Sequence, residues 1–370
     1  MREKPTLRLQ QLIAQEIKRV GNVNRLSQFI AEANTRAGSK LTVDRRTLLK
    51  IRDYPGKVSF TLDLLTALNE YFKPLGEGLH LKPILTMCGL VAPLSDARQL
   101  VFMLGAKPRP AERRVDWSRW DGLAQAELVR EASRFDRCPE LKIEDVLWRN
   151  PVDPSAIKTE QWYSFLETEG VSVVSIGSPM AALSSEVMLA RMFGVEPFVP
   201  PHFSTKSPLP FFFVWLPRAA HRFSSAFGLT WQELASEFKP LSEKVRNNKC
   251  SAFILNGVPH VAPAEAKSWT MYGVIAAQRR ACGSVWLVVS GLAGPATLAA
   301  ARLVKRVDDA LPTTSHQDSP VLWVPVRATI KTGMASSVVS GDLREIVSAE
   351  LVGEPQIWPK PTVEAVSRVL

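Results

Sequence analysis

Apolar positions between residues 6 and 75 recur at helical spacing. Leu9, Leu12, Ile13, Ile17 and Val20 form one stripe, and Leu26, Phe29, Ile30 and Ala33 form a second behind Asn24 as a cap. In TVDRRTLLKIRD, Val43, Leu48 and Ile51 are spaced to face inward after Thr42 or Asp44 as cap, and Leu62, Leu65, Leu68 and Phe72 follow the YPGK turn. The pattern predicts four short helices, the third of them basic. From residue 171 it changes to short β-rich runs: VSVVSIG, FFFVWLP, SAFILNG, YGVIAA and SVWLVVSG. Helical stretches follow the first of these, to Phe193, and the last, to about Val307; VLWVPVRATI and an edge-like IVSAELVG close the series. Alternation of this kind predicts an α/β sheet with helices on its faces that ends in antiparallel strands, of the Rossmann-like three-layer class.

Between these halves, residues 86–165 show no clear period. GAKPRPAERR reads as a loop from its Pro, Gly and charge, and DGLAQAELVREASRF as one helix. The expected organisation is a helical domain over 1–85, a mostly helical linker over 86–165 and an α/β domain over 166–370.

Charge sharpens this division. The chain of 370 residues has a formal net charge of +10, but residues 1–85 hold 15 Lys and Arg against 8 Asp and Glu, so +7 belongs to that end. A basic head on a near-neutral body fits a nucleic-acid-binding unit joined to something else. Residues 281–301, ACGSVWLVVSGLAGPATLAAA, are uncharged and long enough to span a bilayer, but the Gly-Pro break and the β-branched first half favour a buried strand, turn and helix. MREKPTLRLQQ lacks the apolar run of a secretory signal, and Cys88, Cys138, Cys250 and Cys282 lie far apart without CxxC spacing. A cytoplasmic protein with reduced thiols, no membrane contact and no structural metal is expected.

The third predicted helix turns Arg45, Arg46, Leu49 and Lys50 outward, with Thr47 at the shoulder. A helix N-terminus is already partly positive, so arginines gathered there suggest an anionic partner. The stretch VDRRTLLKIRDYPGKVSFTLDLLTALNEYF, residues 43–72, resembles the Cro and phage-repressor (XRE) type of helix-turn-helix, in its Thr-Leu-Leu-Lys-Ile core, Gly-Lys turn and Leu-rich fourth helix. The connection ANTRAGSKLT is longer than that family's tight turn, and Arg52 stands where the family carries an acidic residue. The resemblance implies double-stranded DNA as partner, with Arg45, Arg46 and Thr47 at base edges and Lys50 and Lys57 at phosphates.

Two turns in the α/β half share a design. VVSIGSP and VVSGLAGP each end an apolar strand with Gly and place a Pro where a helix can begin. Ligands of open α/β sheets sit outside the carboxyl ends of the strands, so Gly177, Ser178, Pro179, Gly291, Gly294 and Thr297 are candidate ligand contacts, and Ser184, Ser185 and Glu186 could meet a ribose or a base. Close strand-to-helix packing explains the glycines equally well, and a favourable place in a helix's first turn explains Glu186. Neither turn is a GxGxxG fingerprint or a P-loop, so no cofactor is implied. Residues 272–303, taken with IGSP…SE, are also similar to bacterial α/β sensor-like domains, some of them attached to helix-turn-helix heads.

Catalysis is the weaker expectation. Ser178 lies at a strand-to-helix corner, but Pro179 removes the backbone N–H that an oxyanion hole would need there, and His202, His221 and His260 stand in no triad context. The reading is a homodimeric regulator, a repressor, with a nucleotide-like or anionic effector. The alternative is a nucleotide-processing enzyme of N-glycosidase type that uses Glu186 and carries the head as an accessory.

Overall fold

The computed structural model of the chain describes residues 5–54, 62–76, 90–91, 94, 97–109, 114–133, 140–147, 166, 168, 170–180, 182–199, 209–215, 225–230, 252–261, 268–280, 284–311, 320–332 and 344–358. The first helical stripes form α1 (Pro5–Val20), α2 (Val23–Arg36), α3 (Arg45–Asp53) and α4 (Leu62–Phe72). Leu9, Leu12, Ile13, Leu26, Ile30, Val43, Leu48, Ile51, Leu65, Leu68 and Phe72 meet in one buried cluster, as their spacing demands. Two expectations change. Asn22, not Asn24, caps α2, accepting from the backbone N–H of Arg25. Phe29 is exposed, because Leu26, Ile30 and Asn34 at i, i+4 and i+8 take the inward face. Asn34 is wholly buried and donates to the carbonyls of Ile30 and Ala67, at 2.8 and 2.9 Å, which ties α2 to α4.

The rest is a mixed α/β arrangement. A nine-stranded sheet contains β1 (Gln99–Arg109), β2 (Arg114–Trp117), β3 (Glu140–Leu147) and β4 (Val171–Ile176). A smaller four-stranded sheet is built from β5 (Phe211–Trp215), β6 (Gly228–Thr230), β7 (Ala252–Leu255) and β8 (Val258–Val261). The large sheet is completed by β9 (Ser268–Arg279), β10 (Val285–Gly291), β11 (Val321–Thr332), β12 (Arg344–Leu351) and β13 (Gln356–Trp358). Its order runs β12-β11-β9-β10-β4-β1, with β3 also paired to β1, β2 to the far end of β1 and β13 to β11. β3, β1, β4 and β10 are mutually parallel, whereas β9, β11 and β12 alternate antiparallel.

The main correction falls between the two halves of the chain. Residues 86–165, expected to be a mostly helical linker, supply β1, β2 and β3 to the large sheet, and α5 (Arg119–Ala132) besides. The Pro and Gly of GAKPRPAERR suggested a loop, but β1 continues to Arg109 and pairs Pro108 with Val115. Buried β1 is read by its apolar LVFML run, which lacks the alternation of a half-exposed strand.

Side-chain alternation sorts the large sheet into two faces. Leu287 and Val289 of β10 pack with Leu298, Ala299 and Ala300 of α7 (Gly294–Leu303) and with Trp120, Ala124 and Leu128 of α5. Trp286 and Val288 face the other way, onto α6 (Leu183–Phe193) and the small sheet, where Phe193, Phe211, Phe213, Phe253 and Trp323 fill the layer. Within the uncharged stretch, residues 284–301 thus provide a buried strand, a turn and part of a helix, and no helix among the described residues is long and apolar enough to cross a membrane.

Candidate functional site

α3 presents the cationic face. Asp44 caps it, its carboxylate accepting from the N–H of Arg46 at 2.7 Å, the N–H of Thr47 at 3.0 Å and the hydroxyl of Thr47 at 2.7 Å. The Thr47 hydrogen bonds hold the Asp44 carboxyl below its ordinary range. The hydroxyl of Thr47 is therefore engaged by the cap, while Arg45, Arg46 and Lys50 are exposed and make no ion pair among the described residues. Arg52 instead pairs with Asp53 at 2.7 Å. Both ends of α3 are fixed to neighbours: Ser27 donates to the carbonyl of Val43 at 2.6 Å, and Gln10 to that of Arg52 at 2.5 Å. The α2 to α3 connection holds a left-handed Gly38, with φ of +77°. Lys57 lies outside the described residues.

The second place is the end of the large sheet where the parallel strands finish. β1 leads through β2 to α5 on one face, whereas β4 leads to α6 on the other. In open α/β sheets, neighbouring strands whose connections leave to opposite faces mark the place outside their carboxyl ends where a ligand crevice is expected. Both expected glycine turns lie there, side by side, since Gly177 donates its N–H to the carbonyl of Val289 at 3.0 Å.

The glycines differ in their reasons. Gly177 has φ of +121°, a conformation that L side chains rarely adopt. Gly291 and Gly294 are required by packing: a β-carbon at Gly291 would lie 2.5 Å from the backbone nitrogen of Thr297, and one at Gly294 would lie 2.5 Å from the Trp120 ring. Thr297 itself is buried in the first turns of α7. Pro295 stands at the start of α7, as expected. Pro179 does not start α6; it is buried within a turn closed by the N–H of Ala182 on the carbonyl of Ser178, at 2.8 Å, and α6 begins only at Leu183.

The polar residues expected at the ligand are largely engaged by the protein. The hydroxyls of Ser184 and Ser185 lie 2.6 and 2.9 Å from that of Ser175, and Ser185 donates to the carbonyl of Gly177 at 2.8 Å. This buried network pins the start of α6 to the end of β4. Glu186 is fully buried, and its carboxylate accepts from the N–H of Phe198 at 2.9 Å, the hydroxyl of Ser225 at 2.6 Å and the N–H of Ala226 at 2.7 Å. It cross-links α6 to the turn before β6. Ser178 is buried beside Gly177 with its carbonyl used in the turn.

Sequence reasoning missed the residues that join the turns. Consecutive side chains at the start of α5 reach both: Trp120 packs on Gly294, and Asp121 Oδ2 is 3.9 Å from where a β-carbon of Gly177 would lie. The Asp121 residue is 5 % exposed, and its carboxylate makes no hydrogen bond or ion pair among the described residues. Burial pushes its carboxyl up to about 7. Arg119 and Arg344 each stand 5.8 Å from the Trp120 ring centroid. Ser290, near the end of β10, has a buried hydroxyl without a hydrogen-bond partner. Asp121 opens the helix read from DGLAQAELVREASRF, where an acidic residue signals only a favourable first turn, so nothing in the sequence marked it as a crevice group.

This arrangement bears on what the crevice can hold. Two negative charges about 4 Å apart repel by about 4 kcal/mol at an effective dielectric constant of about 20, so a phosphate at the Gly177 turn is opposed whenever Asp121 is ionised. Among the described residues no group of three or more His, Cys, Asp or Glu side chains is placed to hold a metal ion. No protein-family model matches the chain, and no curated protein or solved structure matches it.

Proposed function

We propose that the chain is a DNA-binding transcriptional regulator of repressor type, in which the helical unit reads double-stranded DNA and the α/β part senses a small nucleotide-like effector. The helical unit is then a helix-turn-helix of the Cro and phage-repressor kind, with α3 as its recognition helix, and the α/β part is a Rossmann-like sensor. The observation that carries this reading is α3, where Arg45 and Arg46 in the first turn and Lys50 in the last are exposed and free of ion pairs among the described residues. Two cations, Arg45 and Arg46, at an already positive helix start cost stability unless an anion meets them. Anchoring of α3 by Ser27 and Gln10 supports the reading further, since base readout needs a rigidly placed helix.

A homodimer follows from the same reading, because paired heads read half-sites about one DNA turn, ~34 Å, apart. The effector would act through unequal affinity for the DNA-competent and incompetent arrangements. The N-glycosidase alternative gains nothing from Glu186, whose oxygens are occupied by Phe198, Ser225 and Ala226.

The test is titration of the protein into labelled DNA from immediately upstream of its own gene, beside a shuffled control, at two salt concentrations. Binding that separates the two DNAs and survives the higher salt supports a regulator. Equal binding to both, erased by salt, leaves only non-specific electrostatics and overturns the reading.

A further inference from the structure

The crevice holds one carboxylate that the fold does not use. Two other carboxylates of the described core are matched by donors: Glu186 by three, and Asp308 by the N–H groups of Leu90 and Val91, each at 2.6 Å. Asp121 is as deeply placed but has no such donors among the described residues, and it faces the Gly177 turn. A buried acceptor without donors costs stability, and a ligand that brings donors removes that cost on binding. The hydroxyl of Ser290, one residue beyond Val289, whose carbonyl Gly177 engages, is a buried group without a hydrogen-bond partner at the same end of the sheet but on its other face.

We propose that Asp121 is the ligand-contacting group of this crevice, and that it receives a pair of O–H or N–H donors from the uncharged nucleoside moiety of the effector, not its phosphate. This rests on the effector-sensing reading and narrows it. A carboxylate has two acceptor oxygens in one plane, which suits a bidentate donor pair. Nucleosides carry such pairs at two places: the cis-diol of the ribose and, in guanosine, the N1–H and amino edge of the base. A phosphate offers only acceptors once ionised, and it would bring its charge toward that of Asp121.

The experiment measures binding of the four ribonucleosides, their 2′,3′-dideoxy analogues, their 5′-monophosphates and inorganic phosphate to the full chain by calorimetry, with wild type and Asp121→Asn. At least one ribonucleoside is expected to bind within about threefold of its monophosphate's affinity, and Asp121→Asn to weaken it at least tenfold. Loss of binding by the dideoxy analogue assigns the donors to the diol; retention assigns them to the base edge; both support the proposal. Should the Asn variant fail to fold, wild-type affinity for the nucleoside decides, because donors to an ionised Asp121 require binding to tighten between pH 6 and pH 8. Binding of inorganic phosphate alone, tighter monophosphate binding by Asp121→Asn, or nucleoside binding indifferent to both Asp121→Asn and pH would overturn the proposal while leaving an effector site. If neither nucleosides nor nucleotides bind, the nucleotide-sensing reading falls, and this proposal with it.

Discussion

Gly294 has no room for a β-carbon because the Trp120 ring stands 2.5 Å from the place it would take. This contact locks the start of α5 onto the turn between β10 and α7, and the next residue, Asp121, is thereby held against Gly177. Gly294→Ala forces the indole or the turn to move and is expected to cost about 1–3 kcal/mol of stability, the usual price of overpacking. Chemical denaturation reads this directly. A smaller ring site should relieve it, so Gly294→Ala combined with Trp120→Leu is expected to cost less than the two single changes added together. Strict additivity would mean that the two residues do not press on each other.

Asp121 makes stability depend on pH. Burial raises its carboxyl from 3.8 in the unfolded chain to about 7 in the folded one. The folded state therefore binds more protons across that interval, and stability falls as pH rises from about 4 to about 7. Above that window the ionised group is a full penalty, on the order of 4 kcal/mol. Asp121→Asn removes the titration, so the variant is expected to gain on wild type in melting temperature from pH 5 to pH 8. A difference that stays constant across this range would show that Asp121 does not titrate there.

The elements were legible wherever apolar period and punctuation agreed, as in α3 with its Asp44 cap or β10 running into α7 at Pro295. β1 was not, because Gly105 and Pro108 imitate a loop and its pairing with β3 and β4 is fixed by residues far along the chain. The site was half legible. Gly177, Gly291 and Gly294 could be singled out by spacing, but whether each serves conformation or packing depends on Trp120 and Thr297, which only the tertiary structure sets beside them. For Glu186 the spacing pointed to a first-turn residue open to a ligand, and the partners that occupy it lie 12 to 40 residues onward. Asp121 carried no local signal, since its significance is the absence of a partner.

Glu186 is expected to matter for folding. Glu186→Gln keeps the size of the side chain but replaces one acceptor oxygen with an amide donor, facing groups that also donate: the N–H of Phe198, the N–H of Ala226 and the hydroxyl of Ser225. Leaving a buried donor unsatisfied costs about 1–3 kcal/mol. The change should lower stability by that amount in chemical denaturation, without any effector present. An unchanged stability together with a lost ligand response would return Glu186 to the ligand site.

Arg46 and Arg52 offer a contrast within one helix. Both are on α3, but Arg52 is paired with Asp53 at 2.7 Å near the C-terminal end, whereas Arg46 is exposed at the N-terminal turn with no ion pair among the described residues. An exposed ion pair contributes little to stability, so Arg52→Ala should leave the melting temperature nearly unchanged. Arg46→Ala should be at least as benign for folding, because it relieves a cation at a positive helix end. In DNA binding the order reverses: Arg46→Ala is expected to weaken specific binding by about 1–3 kcal/mol and to relax discrimination from the shuffled control, whereas Arg52→Ala should leave both nearly unchanged. The measurement is the affinity of each variant for the upstream DNA at two salt concentrations. If both variants lose affinity equally and without loss of discrimination, α3 contributes only to a general positive field; if neither does, the DNA-facing surface lies elsewhere.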